Sequence, residues 1–265
     1  MKAIVCVKEV PETPDGVRAT EEGYVTAKED ASFLIDPIGP YAIETALQLK
    51  DKVGGEIVAV CLGPARAERV LKESALAMGA GDAFLLSGEE MVGSDPHATA
   101  RALAAAVRKI GDADLILLGD RAADDNAAIV GPALARLLGY PVLTFVNDVI
   151  EYDDEGKKIK AARELEGRKE IVEADLPAVV TVIKGIYEPR YPSLLGIRKA
   201  AKREVPVWTS GDLGEDSSKL GPSGSPTFVR KLSSPPPPAG VEMIEGEPEE
   251  AAATLVRRIV EAKIL

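Results

Sequence analysis

Short apolar runs alternate with stretches of helical periodicity through the first half of the chain. Apolar runs typical of buried strands occupy positions 3–7, 56–62, 83–86, 115–118 and 142–145. Apolar residues recur at helical spacing from Asp36-Pro37 to Gly54, and over 66–78, 96–110 and 129–138. Strands that alternate with helices predict a doubly wound α/β fold around a parallel sheet, with a surface hairpin over 16–26.

The pattern changes after Asn147. Positions 149–152, 158–162 and 168–172 are strand-like and are separated by acidic, glycine-containing turns, which predicts antiparallel strands flanking the parallel core. Positions 177–183 predict one more core strand. From Pro189 onward the regular periodicity is lost, until an amphipathic helical pattern over 249–262. We therefore expect an α/β domain over 1–208, and over 209–265 an extended arm with a terminal helix that wraps a partner.

The composition narrows the kind of partner. A net charge of −11 and a pI near 4.8 argue against binding of nucleic acid or of an acidic membrane surface. Cys6 and Cys61 lie in apolar runs and are expected to be buried free thiols of a cytoplasmic protein. The chain starts with a strand pattern too short for a signal peptide, and no apolar run approaches the roughly 20 residues of a membrane helix.

The most informative segment runs from Leu115 to Pro132. Its apolar run ends at Gly119, an acidic loop of small residues follows, and helical spacing resumes at Ile129. Ligands of open parallel sheets bind beyond the carboxyl ends of the strands, and the unpaired N–H groups of a first helical turn attract anions. The segment therefore predicts a phosphate-bearing, nucleotide-like ligand, with an ordinary strand-to-helix connection as the alternative.

Short motifs in a fixed order give the chain a family resemblance. The start, Val7-Lys8-Glu9-Val10-Pro11-Glu12-Thr13, resembles V-K-Q-V-P-D-T, and Asp36-Pro37 with the helix over 42–49 resembles N-P-x(n)-A-x-E-x-A. The loop over 119–131 resembles G-x-Q-A-I-D-x-D-x-x-Q-x-G, residues 188–194 resemble E-P-R-Y-x-x-L, and Gly224-Ser225-Pro226-Thr227 precedes a proline tail. Over nearly its full length the chain resembles the beta subunit of an electron transfer flavoprotein.

The resemblance implies a Rossmann-like fold, of the adenine nucleotide alpha hydrolase-like kind, with a C-terminal arm that embraces an FAD-carrying alpha subunit. It implies an electron-relay subunit rather than an enzyme, acting between dehydrogenases and a quinone or ferredoxin-linked acceptor. The beta subunit binds AMP in ordinary members and a second FAD in electron-bifurcating and nitrogen-fixation-linked members. The start, the segment 204–208 and the Gly-Ser-Pro-Thr tail resemble the second group, which favours FAD and leaves AMP as the alternative.

The matched motifs carry the family's binding positions over to this chain. The cofactor-binding residues implied are Cys6, Val7, Lys8, Val10, Thr13, Asp36, Gly63, Gly119, Arg121, Asp124, Asn126, Ala127, Ala128 and Val130. Ala127 replaces the usual Thr or Cys and Ile129 the usual Gln, whereas Arg121, at a usual Gln, offers a charge to a phosphate. The resemblance also implies a docking loop for dehydrogenases, made of Pro189, Arg190, Tyr191 and Leu194. It implies no catalytic residue, and the single histidine, His97, argues against a histidine-based metal site.

Other interpretations stay open at this point. Cys6 is equally compatible with the core and Thr13 with a surface loop, and Leu194 with local packing. For Asp36 the sequence alone favours a helix cap over a ligand contact. An ATP-binding regulatory protein of the universal-stress type has a related sheet, but its G-x-x-G-x(9)-G-S loop is absent from this sequence. A hydrolase would need a nucleophile–base pair, and the single histidine, His97, has no serine partner in a G-x-S-x-G elbow.

Overall fold

The computed structural model describes residues 1–13, 16–19, 25–28, 31–230, 240–241 and 243–264. Met1–Arg230 form one compact unit and Lys231–Leu265 a second. The strands are β1 Lys2–Val7, β2 Glu9–Pro11, β3 Val17–Ala19, β4 Val25–Ala27, β5 Phe33–Ile35, β6 Glu56–Leu62, β7 Asp82–Leu86, β8 Leu115–Gly119, β9 Val142–Asp153, β10 Lys158–Leu165, β11 Arg168–Asp175, β12 Ala178–Val182 and β13 Val207–Trp208. The helices are α1 Gly39–Val53, α2 Glu68–Val70, α3 Pro96–Ile110, α4 Val130–Leu138, α5 Leu194–Ala201, α6 Ser210–Leu213, α7 Gly221–Gly224 and α8 Pro248–Glu261.

Among the described residues, nine strands form one sheet in the order β11-β10-β9-β12-β8-β1-β6-β7-β13. The strands from β9 to β13 in this order are parallel, and β10 and β11 extend the sheet antiparallel beyond β9. From β1 the chain proceeds to β6 and β7 on one side, and β8 then lies on the other side of β1. The topological switch point therefore falls between β1 and β8, where ligands of open α/β sheets bind. The predicted parallel core is confirmed.

Side-chain alternation along β1 divides the core into two layers. Val5 and Val7 face the layer that contains α1, whereas Ile4 and Cys6 face the layer that contains α3 and α4. Cys61 lies on the adjacent strand β6 but faces the layer opposite to Cys6, and both residues are buried free thiols, as predicted. Burial raises the pKa of each thiol to about 12, so both are neutral.

Two predicted elements differ in detail from the observed ones. The predicted strands 142–145 and 149–152 are one continuous strand, β9. Within it Phe145 has a φ of 57°, its N–H donates to Thr181 Oγ1, and the register with β12 shifts beside it. This bend interrupts the alternation that the sequence pattern relies on. The predicted helix over 66–78 begins as a 3₁₀ turn at Ala65–Ala67 and becomes π-helical over Leu71–Leu76.

The loss of regular structure predicted from Pro189 onward is wrong for the next stretch, which contains α5. Ser193 caps this helix, since its Oγ accepts from the Gly196 N–H. Only Ala200 of the helix is buried, so the apolar residues of α5 do not recur at the helical spacing that a core-facing helix shows. A Cβ on Gly196 would lie 2.5 Å from the carbonyl oxygen of Ala77. Glycine therefore permits a close backbone contact that the periodicity does not reveal.

Residues 209–230, assigned from the sequence to the arm, belong to the compact unit, so the structure divides the chain after Arg230. β13 adds to the edge of the sheet, and Trp208 stacks on Phe84 with ring centroids 4.1 Å apart. Further along, Asp95 Oδ2 accepts from both the N–H and the hydroxyl of Thr227. The hairpin predicted over 16–26 is borne out by the antiparallel pair β3–β4, and the residues between these strands lie outside the described ones.

The second unit contains the predicted terminal helix, α8. Glu249 and Glu250 occupy its first turn, where acidic residues favour helix formation. Leu255, Val256 and Val260 are exposed on it, and none of its residues is buried. Across the described part of the chain, every helix is too short or too polar to cross a membrane.

Candidate nucleotide-binding site

A cavity of about 740 Å³ lies at the carboxyl ends of β1, β6, β7 and β8. This volume falls in the upper part of the range of about 300–1,000 Å³ that pockets for drug-sized ligands occupy. The lining is made of residues 6–8, 36, 39, 62–64, 87–89, 91–94, 96, 99, 103, 118–122, 125 and 127–131. The cavity therefore includes the topological switch point, where the sheet order predicts a ligand.

The buried Asp36 fixes the loop that follows β8. Its Oδ1 accepts from the Ile38 N–H at 3.0 Å, at the start of α1, and its Oδ2 accepts from the Ala123 N–H at 2.6 Å. The sequence left a cap and a ligand contact open for this residue. Its carboxylate joins the residue before α1 to the loop over 120–128, a tether that no sequence pattern indicated.

The same loop carries two residues in the left-handed region. Asn126 has a φ of 52° and Ala128 a φ of 55°. Asparagine tolerates this conformation, whereas for other L-residues it costs about 1–2 kcal/mol. The Asn126 N–H donates to the Ala122 carbonyl at 2.8 Å, which closes the turn. Ala128 is therefore held in a backbone conformation that alanine does not favour, as occurs at ligand sites.

Three helices, α1, α3 and α4, begin at the cavity wall, and the first turns of α3 and α4 differ. Asp95 caps α3 by accepting from the N–H groups of His97 and Ala98, whereas no side chain caps α4. Val130 and Gly131, the first residues of α4, line the cavity. A Cβ on Gly131 would lie 2.3 Å from Thr181 Cγ2, so glycine allows α4 to approach the sheet there. Uncapped first-turn N–H groups of this kind bind anionic ligand groups.

The two cations of the cavity lining are engaged by carboxylates of the chain itself. Lys8 Nζ lies 2.7 Å from Asp124 Oδ1 and 3.7 Å from Asp125 Oδ2. Arg121 Nε lies 2.5 Å from the buried Asp120 Oδ2. The charge that the sequence offered to a phosphate at Arg121 is therefore already paired. The uncapped N–H groups in the first turn of α4 remain as donors to an anion in this part of the cavity.

Most of the predicted cofactor residues meet around the cavity. Its lining includes Cys6, Val7, Lys8, Asp36, Gly63, Gly119, Arg121, Ala127, Ala128 and Val130. Four predicted residues lie outside the lining: Val10 is buried in β2, Thr13 is exposed, and Asp124 and Asn126 are exposed on the loop. Asp124 reaches the cavity indirectly, through its ion pair with Lys8. The predicted roles of all these residues stay predictions.

One wall of the cavity was missed from the sequence. It follows β7 and includes Met91, Gly93 and Ser94, together with Thr99 and Leu103 of α3. The available signals were the glycines after this strand, Gly88 and Gly93, and the helix cap at Asp95. Because β7 ends at the same edge of the sheet as β8, the loop that follows β7 could also have been predicted to contact a ligand.

The predicted docking residues lie outside the cavity lining, after β12. Tyr191 is 95% exposed and Leu194 is 80% exposed, whereas Pro189 and Arg190 are partly buried. Arg190 is bound within the chain, with its Nε 2.8 Å from Glu44 Oε2. The loop therefore combines exposed apolar side chains with an internal anchor.

A doubly wound sheet with a ligand-sized cavity at its switch point defines a class of α/β proteins that bind their ligands at the carboxyl edge. The model of the electron transfer flavoprotein domain matches residues 24–213. An electron transfer flavoprotein subunit beta of Thermoanaerobacterium thermosaccharolyticum is 38% identical over 260 residues, covering 98% of both chains. The caffeyl-CoA reductase-Etf complex subunit CarD of Acetobacterium woodii is 36% identical over the whole of both chains. Protein FixA of Azotobacter vinelandii is 34% identical, covering 98% of this chain and 94% of its own.

These matches establish the relationship that the motifs suggested. The chain belongs to the electron transfer flavoprotein family and corresponds to its beta subunit. Proteins of this family carry out electron transport.

Proposed function

We propose that this chain binds FAD in the cavity at the carboxyl edge of its sheet and relays electrons together with an alpha subunit. The observation that carries the proposal is the cavity itself, which lies at the switch point and is bordered by the uncapped first turn of α4. FAD, when bound, supplies reversible uptake and release of electrons. AMP is the alternative ligand and would give the cavity a structural role only.

The residues around the cavity fit a dinucleotide. Its volume of about 740 Å³ favours the larger of the two nucleotides. Val130 and Gly131 present first-turn N–H groups to a phosphate, while Gly63 and Gly119 let the ligand approach the strand ends closely. Cys6, as a neutral thiol with 7% exposure, contributes an apolar contact and no charge.

The partners in this proposal are an alpha subunit, dehydrogenases and a quinone or ferredoxin-linked acceptor. The exposed apolar face of α8, with Leu255, Val256 and Val260, supports docking to the alpha subunit. The A. woodii relative is named as a subunit of a complex with caffeyl-CoA reductase, which supports work with a redox enzyme. Similarity to this protein and to FixA favours electron bifurcation over simple relay. The free thiols of Cys6 and Cys61 favour a reducing, cytoplasmic setting.

Mass analysis of the nucleotides released from purified heterodimer tests the ligand. FAD in excess of that held by the alpha subunit alone is the expected result. If AMP is released and the only FAD is that of the alpha subunit, the chain would be a beta subunit of the ordinary, AMP-binding type rather than of the bifurcating type. Release of ATP, from a chain that fails to pair with an alpha subunit, would instead favour the regulatory alternative of the universal-stress type.

Removal of residues 233–265 tests the partner role of the arm. Because Met1–Arg230 form a compact unit of their own, we expect the shortened chain to keep its fold and to lose most of its affinity for the alpha subunit. Circular dichroism checks the fold, and co-purification measures pairing. A shortened chain that pairs as well as the full chain would contradict this part of the proposal.

A further inference from the structure

The buried carboxylate of Glu44 has no role in the cavity. It lies in the middle of α1, is 1% exposed, and is absent from the cavity lining. A buried carboxylate is retained only where opposite charge and hydrogen bonds satisfy it. The contacts of Glu44 therefore indicate what it holds in place.

Nearly all of these contacts lead to one residue of the loop after β12. The Arg190 N–H donates to Glu44 Oε2 at 3.2 Å, its Nε to the same oxygen at 2.8 Å, and its Nη2 to Oε1 at 3.0 Å. Gln48 Nε2 donates to Oε1 at 2.7 Å, and Arg190 Nη2 also reaches Asp51 at 2.9 Å. Although burial opposes it, these hydrogen bonds keep the pKa of Glu44 below its usual range. Both the side chain and the backbone of Arg190 are thus fixed to α1.

A second anchor lies a few residues further along the chain. Ser193 caps α5, and Gly196 lies against the backbone of Ala77. Between and beside the two anchors, Tyr191 and Leu194 are almost fully exposed. Exposed apolar side chains on a backbone fixed at both ends form a preorganised contact surface, which avoids the entropy loss of ordering a loop on binding.

We propose that Glu44 is a positioning residue for docking of the electron-exchange partner, acting through Arg190. This inference rests on the proposed function, in which the loop over 189–194 contacts that partner. The surface fits an apolar recess with an acidic rim, because the exposed Leu194 and Leu195 are followed on α5 by the exposed Arg198 and Lys199.

The test uses the intact heterodimer and a dehydrogenase that reduces it. Glu44→Gln keeps the shape of the side chain but removes the charge that makes the Arg190 pair strong. We expect the KM for the partner to rise about fivefold or more, with kcat and nucleotide content unchanged, because only the preorganisation of the surface is lost. Asp51→Asn is the matched control: it removes only the exposed partner of Arg190 and should leave the KM near the wild-type value.

A double-mutant cycle distinguishes positioning from general stability. If Glu44 acts through the loop, Glu44→Gln should raise the KM far less in a Leu194→Ala background than in the wild type. Equal effects in both backgrounds would overturn the inference, as would a wild-type KM for Glu44→Gln. If Glu44→Gln fails to fold, Arg190→Lys is measured in the same cycle. Lysine keeps the positive charge but cannot make the bidentate hydrogen bonds of the guanidinium group to Glu44. A Leu194→Ala variant with wild-type kinetics would instead refute the docking site of the proposed function.

Discussion

Replacing Asp36 by Asn separates the two hydrogen bonds of a single carboxylate. Asn keeps an oxygen for the Ile38 N–H, but its amide nitrogen then faces the Ala123 N–H, where Oδ2 now accepts at 2.6 Å. A hydrogen bond to a charged acceptor contributes about 1.5–3 kcal/mol, and Ala123 is exposed, so water partly replaces the lost acceptor. We expect the free energy of unfolding to fall by about 1–2 kcal/mol, or roughly 2–4 °C in Tm for each kcal/mol.

The effect of Asp36→Asn should be local to the loop over 120–128. Hydrogen exchange at the Ala123 amide should accelerate, and nucleotide should be released more easily because the cavity wall is less well held. Asp95→Asn is the matched control, since one oxygen of Asp95 accepts from the first turn of α3 and the other holds a distant residue, Thr227. That variant should affect residues 225–227 and leave exchange at Ala123 unchanged. Unchanged exchange at Ala123 in Asp36→Asn would refute the tether.

Three further changes address the loop and the buried charges. Asn126→Pro cannot adopt the observed φ of 52° and should release the nucleotide, whereas Asn126→Gly should retain it; nucleotide content measures both. Arg121→Ala leaves the buried charge of Asp120 unpaired, so it should lower the Tm more than the double variant Arg121→Ala/Asp120→Asn does. If Arg121 served only to bind a phosphate, thermal unfolding without nucleotide would show no such difference. The pKa of Glu44 is lower in the folded state than in the unfolded chain, where it is about 4.3. The ionised Glu44 therefore adds to the free energy of unfolding above this pH, and this stabilisation is lost as the pH falls through the folded-state pKa. Acid unfolding of Glu44→Gln should therefore be less steep than that of the wild type.

Much of the fold could be predicted because local patterns and tertiary contacts agree along the parallel core. The apolar runs at β1, β6 and β8 and the caps at Asp95 and Gly54 place these elements within a residue or two of their observed bounds. The failures occur where backbone geometry overrides pattern. The bend at Phe145 interrupts the apolar alternation along β9, so the sequence pattern predicts two strands where the structure has one. Helix α5 shows no apolar periodicity because its close contact with the rest of the protein is made by Gly196.

The candidate site shows the same limit. The loop after β8 could be located from its strand-to-helix signature and from the family resemblance. Its tether to Asp36 joins residues 87 positions apart, and no local pattern reports such a contact. The pairing of Lys8 and Arg121 with acidic neighbours likewise depends on the folded loop. Sequence could therefore identify candidate residues, but not which of their charges were already neutralised within the chain.

Helix α1 connects the two sites on which the proposed function depends. Gly39 at its start lines the cavity, and Glu44 in its middle holds Arg190 beneath the proposed docking surface. Five residues of α-helix correspond to about 7.5 Å along the axis, so one rigid element spans the interval between the two. The rate of electron exchange falls steeply with the distance between redox groups. A docking surface anchored to the helix that borders the nucleotide cavity would therefore keep that distance constant from one encounter to the next, which a loop free to move could not do.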